Sequence, residues 1–353
     1  MNQPCTGHLL ARAAVPLGVV LVGALQACAD RGAEGGLSPN PGTDTGTALL
    51  RPAVETVGVL ASAPAPVLAG WREGGRVWLV GGNTPTGVAA RGVWEAGGGC
   101  LDVDPGGALW WVDGTPDGPV VAVGDGGTVR WLRGDPPEPP EPPTQADLYG
   151  VEVLSDGSLH VVGATVDGRG EAWRWTEADG WVAVLSDLDG VLFKVQDGWL
   201  AGQGWWGRWD AERADAGPTL TPQDWRGVIA VSDGADCAWM GGREDGRPVV
   251  AHACVDAFTV LDGPGVGTSI AGLVAEPDGH LWAATADGLP ASRSPDSTWA
   301  TAPFSMAQDL HGVVSTDRGE ALFLGGDLMG GTEGVVLGFG ERGPDLERCV
   351  GVW

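Results

Sequence analysis

The stretch DLYGVEVLSDGSLHVVGATVDGRGEAWRWTEADGWVAVLS, Asp147 to Ser186, decides the fold. Four short runs, YGVEVLS, LHVVGAT, GEAWRWT and GWVAVLS, are separated by turn sequences built on DG, DGRG and ADG. Asp-Gly pairs suit two-residue hairpins, because glycine takes positive φ where other residues pay a steric cost. Runs this short do not make helices, and no sustained 3.6-residue period appears in the body of the chain. The stretch therefore reads as four antiparallel strands joined by hairpins.

The same text returns along the chain. An apolar-x-Gly-apolar phrase recurs at Gly58, Gly150, Gly190, Gly227, Gly272 and Gly312. An apolar run closed by a small residue follows it, ending at Gly81, Gly124, Gly163, Gly202, Gly241, Thr285 and Gly325, with spacings of 43, 39, 39, 39, 44 and 40 residues. Seven copies at a period near forty residues match the blades of a β-propeller. A ring of four-stranded sheets leaves only short protected edges. The expected fold is all-β, a seven-bladed β-propeller of four-stranded antiparallel blades spanning residues 51–353. In the second copy the fourth strand would fall on PPEPPEPP, Pro136 to Pro143, which lacks the amide hydrogens a ladder needs and reads as a polyproline II excursion.

Within this frame, VVAVGDGGTVRW, Val120 to Trp131, resembles the repeats of photosystem-assembly-factor-like and sialidase-like (BNR) propellers, matching their glycine phrase at Val123, Gly124 and Gly127. SRSPDSTW, Ser292 to Trp299, is similar to an Asp-box: Ser292, Thr298 and Trp299 match, while Ser294 and Asp296 replace the Asp and Gly. The resemblance implies the fold. It implies little about activity.

Residues 1–27 read as a signal peptide, with Arg12 ahead of the apolar run AAVPLGVVLVGALQA. LQAC, Leu25 to Cys28, resembles the lipobox of bacterial lipoproteins, with Gln26 where a small residue is usual; the resemblance implies lipidation of Cys28. Ordinary secretion is the alternative, since ACA, Ala27 to Ala29, also fits a cleavage site before Asp30. Residues 28–50, rich in turn formers, read as a flexible tether. The expected location is the outer membrane or periplasm, lipid-anchored, with membrane contact through the lipid alone.

Charge narrows the function. The chain has 46 acidic against 20 basic residues, a net charge of −26, and Lys194 is its only lysine. Phosphate recognition needs a basic footprint, so nucleic acid is excluded as a partner. A sialidase needs an arginine cluster and a tyrosine nucleophile, yet Tyr149 is the only tyrosine and shares its repeat position with Asp189, Arg226, Ala271 and His311. Of the five histidines, His160, His252, His280 and His311 fall at different points of their repeats and read as isolated imidazoles. Asp102 and Asp104 could offer hard oxygens to calcium, but read more simply as a charged turn. No catalytic set, metal site or cofactor is expected.

Among 18 tryptophans, Trp78, Trp239 and Trp282 stand at equivalent strand positions and read as filling between blades. Trp205, Trp206 and Trp209 with Arg208 form a denser group, and a period-two strand is not expected to turn all three indoles inward. They are the candidate binding residues. Four cysteines remain in the body. Counting outward from the Asp245-Gly246 turn places Cys237 opposite Cys254 at a non-hydrogen-bonded position, with Cα atoms expected about 4.5 Å apart. Cys100 and Cys349 lie in the first and last repeats, which ring closure makes neighbours. The resulting reading is a monomeric, non-catalytic propeller that binds a protein or glycan of the cell envelope. The alternative is a carbohydrate-active enzyme, hydrolase or lyase, with catalytic carboxylates on loops.

Overall fold

The computed structural model describes residues 57–95, 98–134, 144–210, 213–218, 228–231, 237–254, 257–296, 298–315, 321–328, 333–339 and 349. These residues form seven antiparallel sheets. The first strand, β1 (Val57–Ala63), belongs to the last blade. Blade 1 is β2 (Val67–Glu73), β3 (Arg76–Asn83), β4 (Val88–Glu95) and β5 (Gly98–Pro105). Blade 2 has three strands among the described residues, β6 (Leu109–Gly114), β7 (Val120–Gly124) and β8 (Val129–Arg133). The proline run at Pro136 to Pro143 lies outside the described residues.

Blade 3 follows as β9 (Asp147–Val153), β10 (Leu159–Ala164), β11 (Arg169–Thr176) and β12 (Gly180–Asp189). Blade 4 is β13 (Leu192–Gln196), β14 (Trp199–Gly202), β15 (Trp205–Asp210) and β16 (Arg213–Pro218); blade 5 is β17 (Val228–Val231), β18 (Cys237–Glu244), β19 (Arg247–Cys254) and β20 (Ala257–Asp262). Blade 6 is β21 (Ile270–Ala275), β22 (Leu281–Thr285), β23 (Pro290–Arg293) and β24 (Trp299–Thr301). Blade 7 is β25 (Leu310–Ser315), β26 (Ala321–Gly326) and β27 (Gly334–Phe339), completed by β1 on the far side of β27.

The innermost strands β2, β6, β9, β13, β17, β21 and β25 touch in sequence, and β25 touches β2. The ring is therefore closed, and β1 fastens it by lending the last blade its outer strand. This corrects two steps of the repeat alignment. Gly58 sits on β1 and is not the start of blade 1, and Gly190 precedes the inner strand of blade 4. The ladder registers instead align Ala69, Trp111, Gly150, Lys194, Gly272 and Gly312.

In blades 1 to 4 and in blade 7 the glycine that closes the second strand has a steric cause. A Cβ at Gly81 would lie 2.1 Å from the carbonyl oxygen of Pro66, and one at Gly124 the same distance from that of Ala108. In these blades the chain entering the inner strand passes too close for a side chain, whereas blade 6 carries Thr285 at this place.

Both faces of a blade are covered, so strands carry apolar residues at consecutive positions. On β10, Leu159 and Val161 join Val121 and Val123 of blade 2, while Val162 joins Leu192, Val195 and Leu200 of blade 4. This disposes of the argument that one of Trp205, Trp206 and Trp209 must face outward. Trp205 and Trp209 pack towards blade 3 and Trp206 towards blade 5. A period-two strand has two inward faces here.

Two disulfides tie the periphery. Cys237 and Cys254 face one another across β18 and β19 with Cα atoms 4.0 Å apart, and the turn residues Asp245 and Gly246 take φ of 48° and 75°. Cys100 on β5 is bonded to Cys349, whose amide donates to Asp102 at 3.1 Å. Asp102 and Asp104 lie on β5 and not in a turn; Asp104 faces Arg91 at 3.4 Å.

Candidate functional site at the inner wall

In six blades one residue of the inner strand is bulged out of the ladder. These residues are Leu68, Trp110, Tyr149, Phe193, Ala271 and His311, each lying between the two positions where the register slips. A bulge re-aims a side chain that a regular strand would bury in a sheet face. Three consecutive bulge residues, Trp110, Tyr149 and Phe193, are aromatic, each only partly buried. Their rings form a continuous arc, with centroids 5.8 Å apart from Trp110 to Tyr149 and 5.5 Å from Tyr149 to Phe193. Tilted contacts at these distances suit aromatic quadrupoles.

Carboxylates set the arc in place. Asp125 accepts from the Trp110 indole at 2.6 Å, from Thr84 of blade 1 at 2.6 Å and from the Ala108 amide at 2.8 Å. Asp147 accepts from the Gly126 amide of blade 2 at 2.9 Å and from the Tyr149 hydroxyl at 3.3 Å. Burial raises the Asp125 carboxyl above its ordinary range although the hydrogen bonds oppose this. Burial, with Asp147 beside it, pushes the Tyr149 phenol up as well, so Tyr149 is a neutral donor. The arc thus offers apolar ring surface held by acceptors already in use.

Further along the same strands lies a second, more buried set. Asp113 accepts from the Val153 amide of blade 3 at 2.7 Å, and Glu152 accepts from the Gly198 amide of blade 4 at 3.0 Å. His160 Nδ1 is 3.0 Å from Glu152, and its ring stacks 4.0 Å from Trp209. Burial pushes the Asp113 carboxyl up to about 7, with Glu152 and Asp197 adding repulsion, and Asp197 is raised for the same reasons. Glu152 and His160 are 6% and 4% exposed. Asp113 and Glu152 are each spent on a backbone amide of the next blade and so staple blades together, while Asp197 is exposed.

The candidate binding residues of the sequence reading are brought together, but largely by packing. Trp209 is 4% exposed and stacks on His160. Trp206 stacks between Trp199 and Phe258 at 6.2 and 5.1 Å. Arg208 lies over the Trp199 ring at 4.6 Å, and the Trp205 indole donates to the Asp189 carbonyl at 2.7 Å. Trp78 and Trp282 are buried, and Trp239 packs in the equivalent role between blades 5 and 6. Among the described residues, Cys237, His252 and Cys254 form the one group with metal-holding spacing, and its two sulfurs are bonded to each other.

The reading of His160 as isolated is corrected by its contact with Glu152. The signal was present: counting outward through the SDG turn puts His160 directly opposite Glu152. The aromatic arc was hidden by the misplaced Gly190, which set Asp189 where Phe193 belongs.

The sequence matches no protein-family model and no curated protein. Solved structures are similar in fold. One is described as streptogramin B lyase, with TM-score 0.65 and 13% identity over 80% of this chain and 97% of that one. Another is YCF48 bound to D1 peptide, with TM-score 0.55 and 15% identity over 81% of this chain and 96% of that one. A third is the extracellular domain of BT4673 from B. thetaiotaomicron, with TM-score 0.55 and 12% identity over 80% of this chain and 40% of that one. At such identities the likeness is one of fold alone.

Proposed function

We propose that the chain is a binding propeller of the cell envelope that recognises a protein partner through the arc Trp110, Tyr149 and Phe193. The observation that carries the reading is the placement of three partly exposed aromatic rings on bulges of three consecutive blades. Aromatic side chains supply large contact area at low entropic cost, and clustered ones dominate binding energy. That a propeller of this fold is solved with a peptide is consistent with a peptide or protein in preference to a glycan. Trp205, partly exposed, lies at the same end of blade 4 as Phe193 and extends the surface there, while Arg208 reaches the Asp197 carbonyl at the other end and Trp206 and Trp209 serve packing.

The chain reaches its compartment by export, with residues 1–27 removed, Cys28 lipidated and residues 28–50 acting as tether. Two disulfides suit an oxidising compartment. A Cys28→Ala variant is expected to lose membrane association and fatty-acid labelling; mature protein that is wholly soluble and begins at Asp30 would show ordinary secretion instead.

The enzymatic alternative rests on the likeness to a lyase fold and on the convergence of Asp113, Glu152, Asp197 and His160. The burial of Glu152 and His160 and the use of Asp113 and Glu152 as blade staples weigh against it. Lyase, glycosidase and esterase screens are expected to give background rates. A reproducible rate abolished by Glu152→Gln in a folded variant would establish the enzyme.

A further inference from the structure

Lys194 breaks the repeat in a way that neither packing nor partner binding explains. It is the only lysine of the chain. It stands directly after the bulge residue Phe193, at the position that is Gly150, Gly272 and Gly312 in other blades. Its Nζ donates to the Tyr149 carbonyl of blade 3 at 2.8 Å and sits 3.8 Å from the ring centroid of Trp111 on blade 2. A side chain rooted on blade 4 therefore meets one rooted on blade 2, with Gly150 of blade 3 leaving the space between them.

An ammonium has three donors, and one carbonyl and one ring face are poor compensation for lost water. No ion pair with Lys194 exists among the described residues, although the chain has 46 acidic residues. The charged groups on adjoining strands are committed elsewhere. Asp113 and Glu152 accept blade-to-blade amides, Asp147 accepts from Gly126 and Tyr149, and His160 faces Glu152. On β11, Arg169 pairs with Asp187, Arg174 faces Asp179 and Glu171 accepts from Trp173. The described residues of β17, Val228–Val231, carry no charge.

We propose that Lys194 is a nucleophilic amine site that captures a small uncharged aldehyde or reactive ketone as an imine. The amine lone pair attacks the carbonyl carbon to give a carbinolamine, which loses water to leave a C=N bond; the step needs no oxidant or reductant. Burial lowers the ammonium to about 7, so an unprotonated fraction is present at neutral pH. When protonated, the imine nitrogen is a cation suited to the Trp111 face and donates to the Tyr149 carbonyl. The chain's net charge of −26 disfavours an anionic ligand. This site is independent of the protein-binding reading and survives its failure.

A chain with one lysine makes the test clean. The mature protein is treated with pyridoxal and sodium cyanoborohydride from pH 6 to 10, and labelled peptides are mapped by mass spectrometry. Lys194 is expected to label at pH 7 at least about tenfold faster than Nα-acetyllysine, with a midpoint near 7 in place of the free-lysine midpoint. Lys194→Arg and Lys194→Met are expected to remain folded and to lose that label. Labelling that rises only above about pH 9, as for free lysine, would overturn the proposal. So would a Lys194 that labels only after denaturation.

Discussion

From blade 6 through blade 7 to blade 1, the innermost strands approach backbone to backbone: a Cβ at Gly272 would lie 2.7 Å from Gly312, and one at Gly312 would lie 2.6 Å from the Leu68 carbonyl. From blade 2 to blade 4, the equivalent positions hold Trp111, Gly150 and Lys194, and the bulges beside them hold Trp110, Tyr149 and Phe193. Gly150 approaches blade 4 as closely, with a Cβ there 2.8 Å from the Phe193 carbonyl, but Trp111 and Lys194 stand on either side of it, whereas blades 6 and 7 carry glycine at both equivalent positions. The first arc is bare and the second furnished. The difference separates what holds a propeller together from what this propeller presents.

The first way to break the comparison is Gly272→Val. On the bare arc an added side chain meets backbone that cannot give, so the ring is expected not to close and folded protein not to accumulate. On the furnished arc Lys194→Met replaces one long side chain by another and relieves a buried amine, so the thermal midpoint is expected to hold or rise. Thermal denaturation of both decides. A well-folded Gly272→Val protein would show that the close approach is not obligatory.

The second concerns the ties at the rim. The Cys100 to Cys349 bridge closes a separation of 249 residues and that of Cys237 to Cys254 closes 17, for which chain-entropy arguments give about 5 and about 3 kcal/mol. Cys349→Ser is therefore expected to lower stability more than Cys254→Ser. Denaturant unfolding tests the order, and the reverse order would show that β1 on β27 already fastens the ring without help from the tail.

Legibility followed the same division. The strands, the count of blades and the register of Cys237 against Cys254 were readable because Asp-Gly turns and closing glycines recur wherever backbone passes close to backbone. The furnished arc was not, because its signal is a departure from the repeat. Gly190 satisfied the apolar-x-Gly-apolar phrase without occupying its place, so Phe193 was missed and Lys194, noted only as the single lysine, was not placed on the inner strand. β1 was misassigned for a related reason, since nothing local tells a strand that its partner lies at the other end of the chain. That Trp205, Trp206 and Trp209 all pack inward was not legible because a one-sided sheet was assumed, whereas both faces of a blade are interior.

A third, smaller effect sharpens the account of the buried acids. Burial pushes the folded Asp113 carboxyl up to about 7 from its ordinary value of 3.8. Between those values the native state holds a proton that the unfolded state has released, so native stability falls as pH rises through that window, by up to about 1.4 kcal/mol per pH unit. Asp113→Asn is expected to flatten this slope while keeping the fold. A wild-type protein whose denaturation midpoint is unchanged from pH 4 to 7 would contradict the burial assigned to this carboxyl.

The central claim is that the aromatic arc of blades 2 to 4 is the binding surface. Its most direct test is quantitative affinity capture from envelope extracts with three folded baits: the mature wild type, a Trp110→Ala, Tyr149→Ala, Phe193→Ala variant, and an Ala271→Ser, His311→Ala variant of the opposite arc. The account predicts a partner enriched by the wild type and the opposite-arc variant, with enrichment reduced at least about tenfold by the three aromatic substitutions. Equal enrichment by all three baits, or loss only with the opposite-arc variant, would contradict it.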